Sequence, residues 1–126
     1  MRRSVEVPGL GHGGQPIPMA SVVNGIVMTG GISGKDPATG TIPEDPAAEV
    51  AQAFANLRAV LDAAGASPEE VAKVTVFVGD RDIRSHVNPH WLELFPDPES
   101  RPARHTLEAN LTGMRLQLEC LAVLGS

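Results

Sequence analysis

Between Ala103 and Leu111 apolar and polar residues alternate. Ala103, His105, Leu107, Ala109 and Leu111 fall on one side, and Arg104, Thr106, Glu108 and Asn110 on the other. A period of two marks a half-buried β-strand, because successive side chains point to opposite faces. Residues 116–124, LQLECLAVL, read the same way: Leu118 and Cys120 oppose Gln117, Glu119 and Leu121. Residues 71–80, VAKVTVFVGD, are rich in β-branched side chains and predict another strand. Residues 19–33 read as a hairpin. Its turn is Asn24-Gly25, since both residues tolerate the positive φ of a type I′ turn. Residues 4–7, SVEV, are a further short strand.

Elsewhere the period lengthens to that of a helix. Val50, Phe54, Leu57 and Leu61 form one apolar stripe in a helix predicted from about 45 to 64. Asp45 caps its free amides, Pro46 takes the first helical position and Gly65 ends it. Ser67-Pro68-Glu69-Glu70 is a capping box on a single turn. A second helix, roughly 83–95, presents Val87, Trp91, Leu94 and Phe95, and Pro96 and Pro98 stop it. The order β, ββ, α, β, α, ββ predicts an α+β sandwich with both helices on one face of the sheet.

Composition narrows the functions. A chain of 126 residues suits one domain spanning 1–126. Such a chain has little area to spare for its core, so assembly with copies of itself is an effective way to bury more. A net charge of −5, with ten basic residues, speaks against nucleic acid, which is bound by neutralising phosphates. Three Phe, one Trp and no Tyr leave few faces for base stacking. The one cysteine, Cys120, excludes an intrachain disulfide and points to the cytosol. No apolar run follows the N-terminal arginines, so no signal peptide is expected. No stretch approaches the roughly 20 apolar residues that span a bilayer, so no membrane partner is expected.

Several motifs carry less than they promise. GLGHGG, residues 9–14, matches a dinucleotide fingerprint, but Gln15-Pro16-Ile17-Pro18 cannot open the helix that would hold a pyrophosphate. It reads as a flexible loop, with His12 solvated. His86 and His90 have a metal-ligand spacing, but Pro89 lies between them and no third ligand is suggested, so no metal is expected. Cys120 reads as a small apolar side chain rather than a nucleophile. No G-x-S-x-G elbow is present.

Arg104 and Glu119 remain. If the last two strands pair as a tight hairpin with Leu111 facing Met114, Thr106 lies opposite Glu119. Arg104 is then one diagonal step away on the same face. That pair is either a solvated cross-strand salt bridge, worth at most about 1 kcal/mol, or an anion-binding fork beside a carboxylate that handles protons. Spacing does not choose between them.

The same stretches, RPARHTLEANL and LQLECLAV, resemble the C-terminal signature of the RidA family. These are reactive-intermediate (enamine/imine) deaminases, once labelled L-PSP endoribonucleases. NGIVMTGGIS…DPATG, AAEVAQAFANLRAVLDAAGAS, VAKVTVFVGD and VNPHWLELFP resemble further family segments in order, so the likeness covers essentially the whole chain. It implies a chorismate-mutase-like α+β fold with a mixed sheet, and a homotrimer with pockets between subunits. It also implies hydrolysis of 2-imino acids without metal or organic cofactor. Arg104 would grip the substrate carboxylate, and Glu119 would position or deprotonate the attacking water. Thr29, with Gly30 and Gly31, would supply the hairpin's part of the binding site. Asn88, His105 and Thr106 would line it.

Three positions depart from the family pattern. Met19 stands where the family has a pocket tyrosine, Gly31 where it has glutamine, and His105 where it has a small residue. Loss of the tyrosine and glutamine predicts a larger, more apolar pocket and a bulkier imine than 2-iminopropanoate. The same losses favour a competing function, a non-catalytic trimeric binder of small carboxylates. A third, the ribonuclease activity of the older family name, is opposed by the net charge of −5.

Overall fold

The computed structural model describes residues 1–125 and has seven strands and two α-helices in them. The strands are β1 (Arg2–Val5), β2 (Ala20–Val23), β3 (Ile26–Thr29), β4 (Ile32–Ser33), β5 (Val71–Val78), β6 (Ala103–Glu108) and β7 (Leu116–Val123). They form one mixed sheet in the order β1-β2-β3-β7-β5-β6, with β4 also paired to β7. Helices α1 (Pro46–Ala64) and α2 (Val87–Leu94) lie on one face. The fold is thus the α+β arrangement expected from the element order. Among the described residues no helix is long and apolar enough to cross a membrane.

Local chemistry explains most boundaries. The β2–β3 hairpin closes with Val23 opposite Ile26, and Asn24 and Gly25 take φ of 49° and 77°. Asp45 accepts from the Ala48 amide at 3.2 Å, and Gly65 ends α1 in the left-handed region. The Ser67–Glu70 capping box is present on a short 3-10 turn. The second helix differs from expectation. Residues 81–86 are 3-10, and the α-helix begins only at Val87. Pro89 is the cause: it has no amide to donate and fits only the first turn of a helix. The first strand also lies earlier than expected, at Arg2–Val5.

The larger correction concerns the last two strands. They do not form a hairpin. β6 pairs with β5 in parallel, β7 pairs with β5 antiparallel, and β5 lies between them. The connection 109–115 has the length to step across one strand. Ala109 donates to the Val78 carbonyl and Gly79 to that of Arg115 as it passes the end of β5. β5 demands the interior position, since Val71, Val74, Val76 and Val78 are all buried.

The core lies between the sheet and α1, where Val50, Leu57, Val60 and Leu61 pack against Val27, Val74, Leu118 and Ala122. Glu49 is buried there at 0% exposure. Its carboxylate accepts from the Arg115 guanidinium at 2.6 Å and from the Arg115 amide at 2.7 Å. Asn56, also buried, donates to the carbonyls of Ser33 and Lys35, both at 2.8 Å. Gly34 lies so close to the Glu49 backbone that a Cβ there would overlap it. Two polar side chains of α1 therefore hold the chain on either side of β7.

Arg115→Met would strand the Glu49 carboxylate in the core, an effect worth about 3–5 kcal/mol. Arg58→Met, which breaks the exposed Arg58–Asp62 pair at 3.7 Å, should cost less than about 1 kcal/mol. Urea unfolding of both variants measures the contrast.

Candidate functional site

The sheet is interrupted where β3 gives way to β4. Met28 pairs with Leu121, and pairing resumes at Ile32 with Leu118. Thr29, Gly30 and Gly31 thus stand opposite only Glu119 and Cys120. The extra residue is a bulge, a device that breaks the ladder and re-aims side chains. Thr29 repairs part of it: its hydroxyl accepts from the Cys120 amide at 2.9 Å. Beside the bulge is a pocket of about 250 Å³, lined by Glu119, Thr75, Lys73, Met28 and Thr29.

A larger cavity of about 540 Å³ lies along β7 from there. The N-terminal loop covers it, fastened by Lys35, whose ammonium donates to the Gly11 carbonyl at 2.9 Å. Ile17, Met19, Ile32, Ile42 and Met114 supply apolar wall, and His12, Lys35 and Gln117 the polar part. Gly31 does not simply enlarge this space. A Cβ at Gly31 would overlap the Gln117 carboxamide, so a side chain from β7 fills the room that position leaves. His12 is not merely solvated either. Its Nε2 is buried and lies 3.6 Å from where a Gly30 Cβ would stand.

Arg104 lies elsewhere. Its guanidinium carbon sits 4.8 Å from the centroid of the Trp91 ring. With Asn88, Thr106, Arg84 and Val87 it lines a pocket of about 280 Å³ at the edge strand β6. Among the described residues no carboxylate is within salt-bridge distance of Arg104, whereas Arg81 pairs with Glu108 and Arg115 with Glu49.

The register decides which residues share a face. Val74 pairs with both Arg104 and Cys120, so Arg104 and Thr106 project toward the helices. Thr75 pairs with both His105 and Glu119, which project from the open face. The expected Arg104–Glu119 diagonal does not exist, because β5 separates the strands and the two side chains leave the sheet on opposite sides. Arg104, Asn88 and Thr106 are brought together; Glu119 and Thr29 are brought together; Met19 and Gly31 border the larger cavity. His105 joins Thr75 and Glu119 in a row across three strands. Sequence reasoning missed Thr75, Lys73 and Gln117. A hydroxyl among the β-branched apolar residues of β5 was the available signal for Thr75. His86 and His90 lie on the helical side, where His90 stacks on Phe54 at 5.9 Å.

A family profile described as Endoribonuclease L-PSP matches residues 18–124. The chain belongs to this family, the RidA family. It is similar to a 2-iminobutanoate/2-iminopropanoate deaminase of Salmonella typhimurium, 34% identical over 101 residues, 78% of this chain and 79% of that one. It is also 37% identical over 113 residues to a RutC family protein of Synechocystis, covering 86% of each. The crystal structure of the YjgF gene product of E. coli superposes with a TM-score of 0.84 at 26% identity, covering 97% of this chain and 98% of that one. RidA-family membership thus rests on sequence and fold together, and the family includes imine deaminases.

One feature of this RidA-family site has a pH consequence. Burial pushes the Cys120 thiol from its ordinary 9.0 up to about 12; the contact with Thr29 opposes this and the Glu119 charge adds to it. The unfolded thiol therefore loses its proton first. Stability from this group is intact below pH 9 and falls as pH rises toward 12. Cys120→Val should flatten melting temperature against pH over that interval. A thiol-reactive disulfide should label the native protein only as it unfolds.

Proposed function

We propose that the chain hydrolyses 2-imino acids and their enamine tautomers to 2-keto acids and ammonia, at sites completed between the copies of a homotrimer. One observation carries this reading. Arg104 lies across an aromatic ring with no carboxylate partner among the described residues, while Glu119 leaves the sheet on its other face. A purely structural Arg104–Glu119 pair is incompatible with that separation. The two groups act on one substrate only if they come from different copies.

The open face supports assembly. Val23, Ile26, Met28, Leu107 and Val123 are 39–51% exposed on it. Exposed apolar side chains on one sheet face mark an interaction site, and a small chain gains core area by covering them. Arg104 stands on an edge strand, from which a long side chain reaches a neighbouring copy.

The chemistry follows from the groups. The planar guanidinium of Arg104 takes the substrate carboxylate through two parallel charge-assisted hydrogen bonds. Asn88 and Thr106 beside it orient the rest of the acid. Glu119 of the second copy accepts a proton from water as its oxygen bonds to the C=N carbon. That proton passes to nitrogen and gives a carbinolamine; its hydroxyl proton then moves to nitrogen as the C–N bond breaks and the C=O bond forms, so ammonia leaves and the keto acid remains. The imine is intrinsically reactive, so positioning supplies most of the acceleration.

The 540 Å³ cavity, bordered by Gln117 two residues before Glu119 on β7, is where the substituent of the imine extends. Its size lies within the roughly 300–1,000 Å³ of ligand clefts. Met19 and Ile17 favour a bulky apolar substituent, and Gln117 and His12 offer polar contacts beyond it. Accordingly, kcat/KM should rise from 2-iminopropanoate to longer or branched imines generated in situ by an amino-acid oxidase. Equal values across such a series contradict this assignment of the cavity.

Arg104→Ala tests the function itself. It should cost about 3–5 kcal/mol, a hundred- to several-thousand-fold in kcat/KM, with the melting temperature unchanged. Arg104→Lys should recover little, because an ammonium lacks the planar fork. Glu119→Gln should lower kcat more than it raises KM. Unchanged kinetics in a folded Arg104→Ala assembly overturn the proposal.

A further inference from the structure

We infer that Trp91 is the positioning residue of this site: its indole face holds the Arg104 guanidinium ready for a planar carboxylate, and Arg101 holds the indole's supports in place. The inference rests on the reading of Arg104 as the carboxylate receptor and adds the residues that organise it.

An arginine on an edge strand ordinarily samples many rotamers, and ordering it opposes ligand binding. Here the guanidinium lies 4.8 Å from the Trp91 centroid, within the range of a cation–π contact. Among the described residues no hydrogen bond or ion pair takes up the guanidinium's N–H groups, so they are free to donate to a carboxylate. Trp91 is itself held. It is 8% exposed and meets Phe95 edge-on at 4.8 Å between centroids. The Phe95 amide donates to the Trp91 carbonyl at 2.8 Å, closing the end of α2. Arg101 then fastens that end from the loop. Its Nε donates to the Phe95 carbonyl at 2.9 Å and its Nη2 to the Pro96 carbonyl at 3.2 Å. The loop that carries Arg101 runs directly into β6, so the support and the receptor are three residues apart in the chain. Asn88 lies one helical turn before Trp91, on the Arg104 pocket. One short helix therefore presents both the polar wall of that pocket and the shelf beneath its cation.

The chain has one tryptophan and no tyrosine, so its indole emission reports on Trp91 alone. The probe is 2-oxobutanoate, a stable 2-keto acid. Titrating it into the native protein should change that emission saturably, and Arg104→Ala should abolish the response. By calorimetry, Trp91→Leu should weaken 2-oxobutanoate roughly three- to thirtyfold, the span of a cation–π contact. Trp91→Phe, which keeps an aromatic face, should restore most of the affinity. In turnover the loss should appear in KM, with kcat near native. Arg101→Met, at an exposed position that threatens the fold less, should weaken 2-oxobutanoate severalfold with no contact to it. Native affinity in folded Trp91→Leu and Arg101→Met overturns the inference, while loss of hydrolysis in Arg104→Ala would leave the proposed reaction standing. Conversely, keto-acid binding that depends on Trp91 and Arg104, in a protein that hydrolyses no imine, keeps the inference and removes the reaction.

Discussion

A carboxylate with no exposure to solvent organises this fold. Glu49 accepts two hydrogen bonds from one residue, Arg115, through its side chain and its amide. Arg115 in turn donates to the Pro43 and Glu44 carbonyls just ahead of α1. A buried carboxylate is tolerated only when paired in this way. The pair therefore fixes where β7 begins relative to α1. Arg115 is the residue before β7, so its position sets the register of Gln117, Glu119 and Cys120 against β3 and β5. Asn56 does the same for the other border, tying Ser33 and Lys35 beside β4 to the helix. The bulge at Thr29–Gly31, the Gln117 carboxamide beside Gly31 and the cavity wall all follow from those two anchors.

The sheet then imposes a division of labour. Side chains on β6 and β7 that share a register with Val74 point to the helices, and those that share one with Thr75 point away. Arg104 belongs to the first set and Glu119 to the second. A cation suited to gripping a carboxylate and a carboxylate suited to handling protons are thus built into one chain but kept apart within it. On the proposed reading the separation has a purpose: the two groups would meet only where the edge strand of one copy reaches the open face of another.

Much of this was legible in the sequence, for reasons that can be named. The Asn-Gly turn, the Asp45 cap and the Ser67–Glu70 box act over two to four residues, so local sequence determines them. The strand alternation of residues 103–111 correctly separates Arg104 from His105. What failed was the partner of that strand. Period-two patterning assigns faces but not neighbours, and a seven-residue connection allows either a hairpin or a step across β5. Glu49 was hidden for a related reason. It continues the buried face of α1 through Ala53, Asn56, Val60 and Ala64, but a glutamate in the first helical turn ordinarily reads as solvated dipole compensation. His12 and Gln117 were out of reach because their surroundings come from distant segments. The family likeness supplied the candidate site residues; the sheet register decides that Arg104 and Glu119 do not meet within one chain.

Complementation between copies tests the central claim most directly. Arg104→Ala and Glu119→Gln chains, each impaired alone, are unfolded together, refolded as a mixture and assayed for imine hydrolysis. If every site takes Arg104 from one copy and Glu119 from the next, random equal mixing gives roughly a quarter of the sites both native groups. Activity should rise to about that fraction of the native value. Activity that stays at the level of the separate variants, in mixed assemblies shown to have formed, contradicts a site shared between copies.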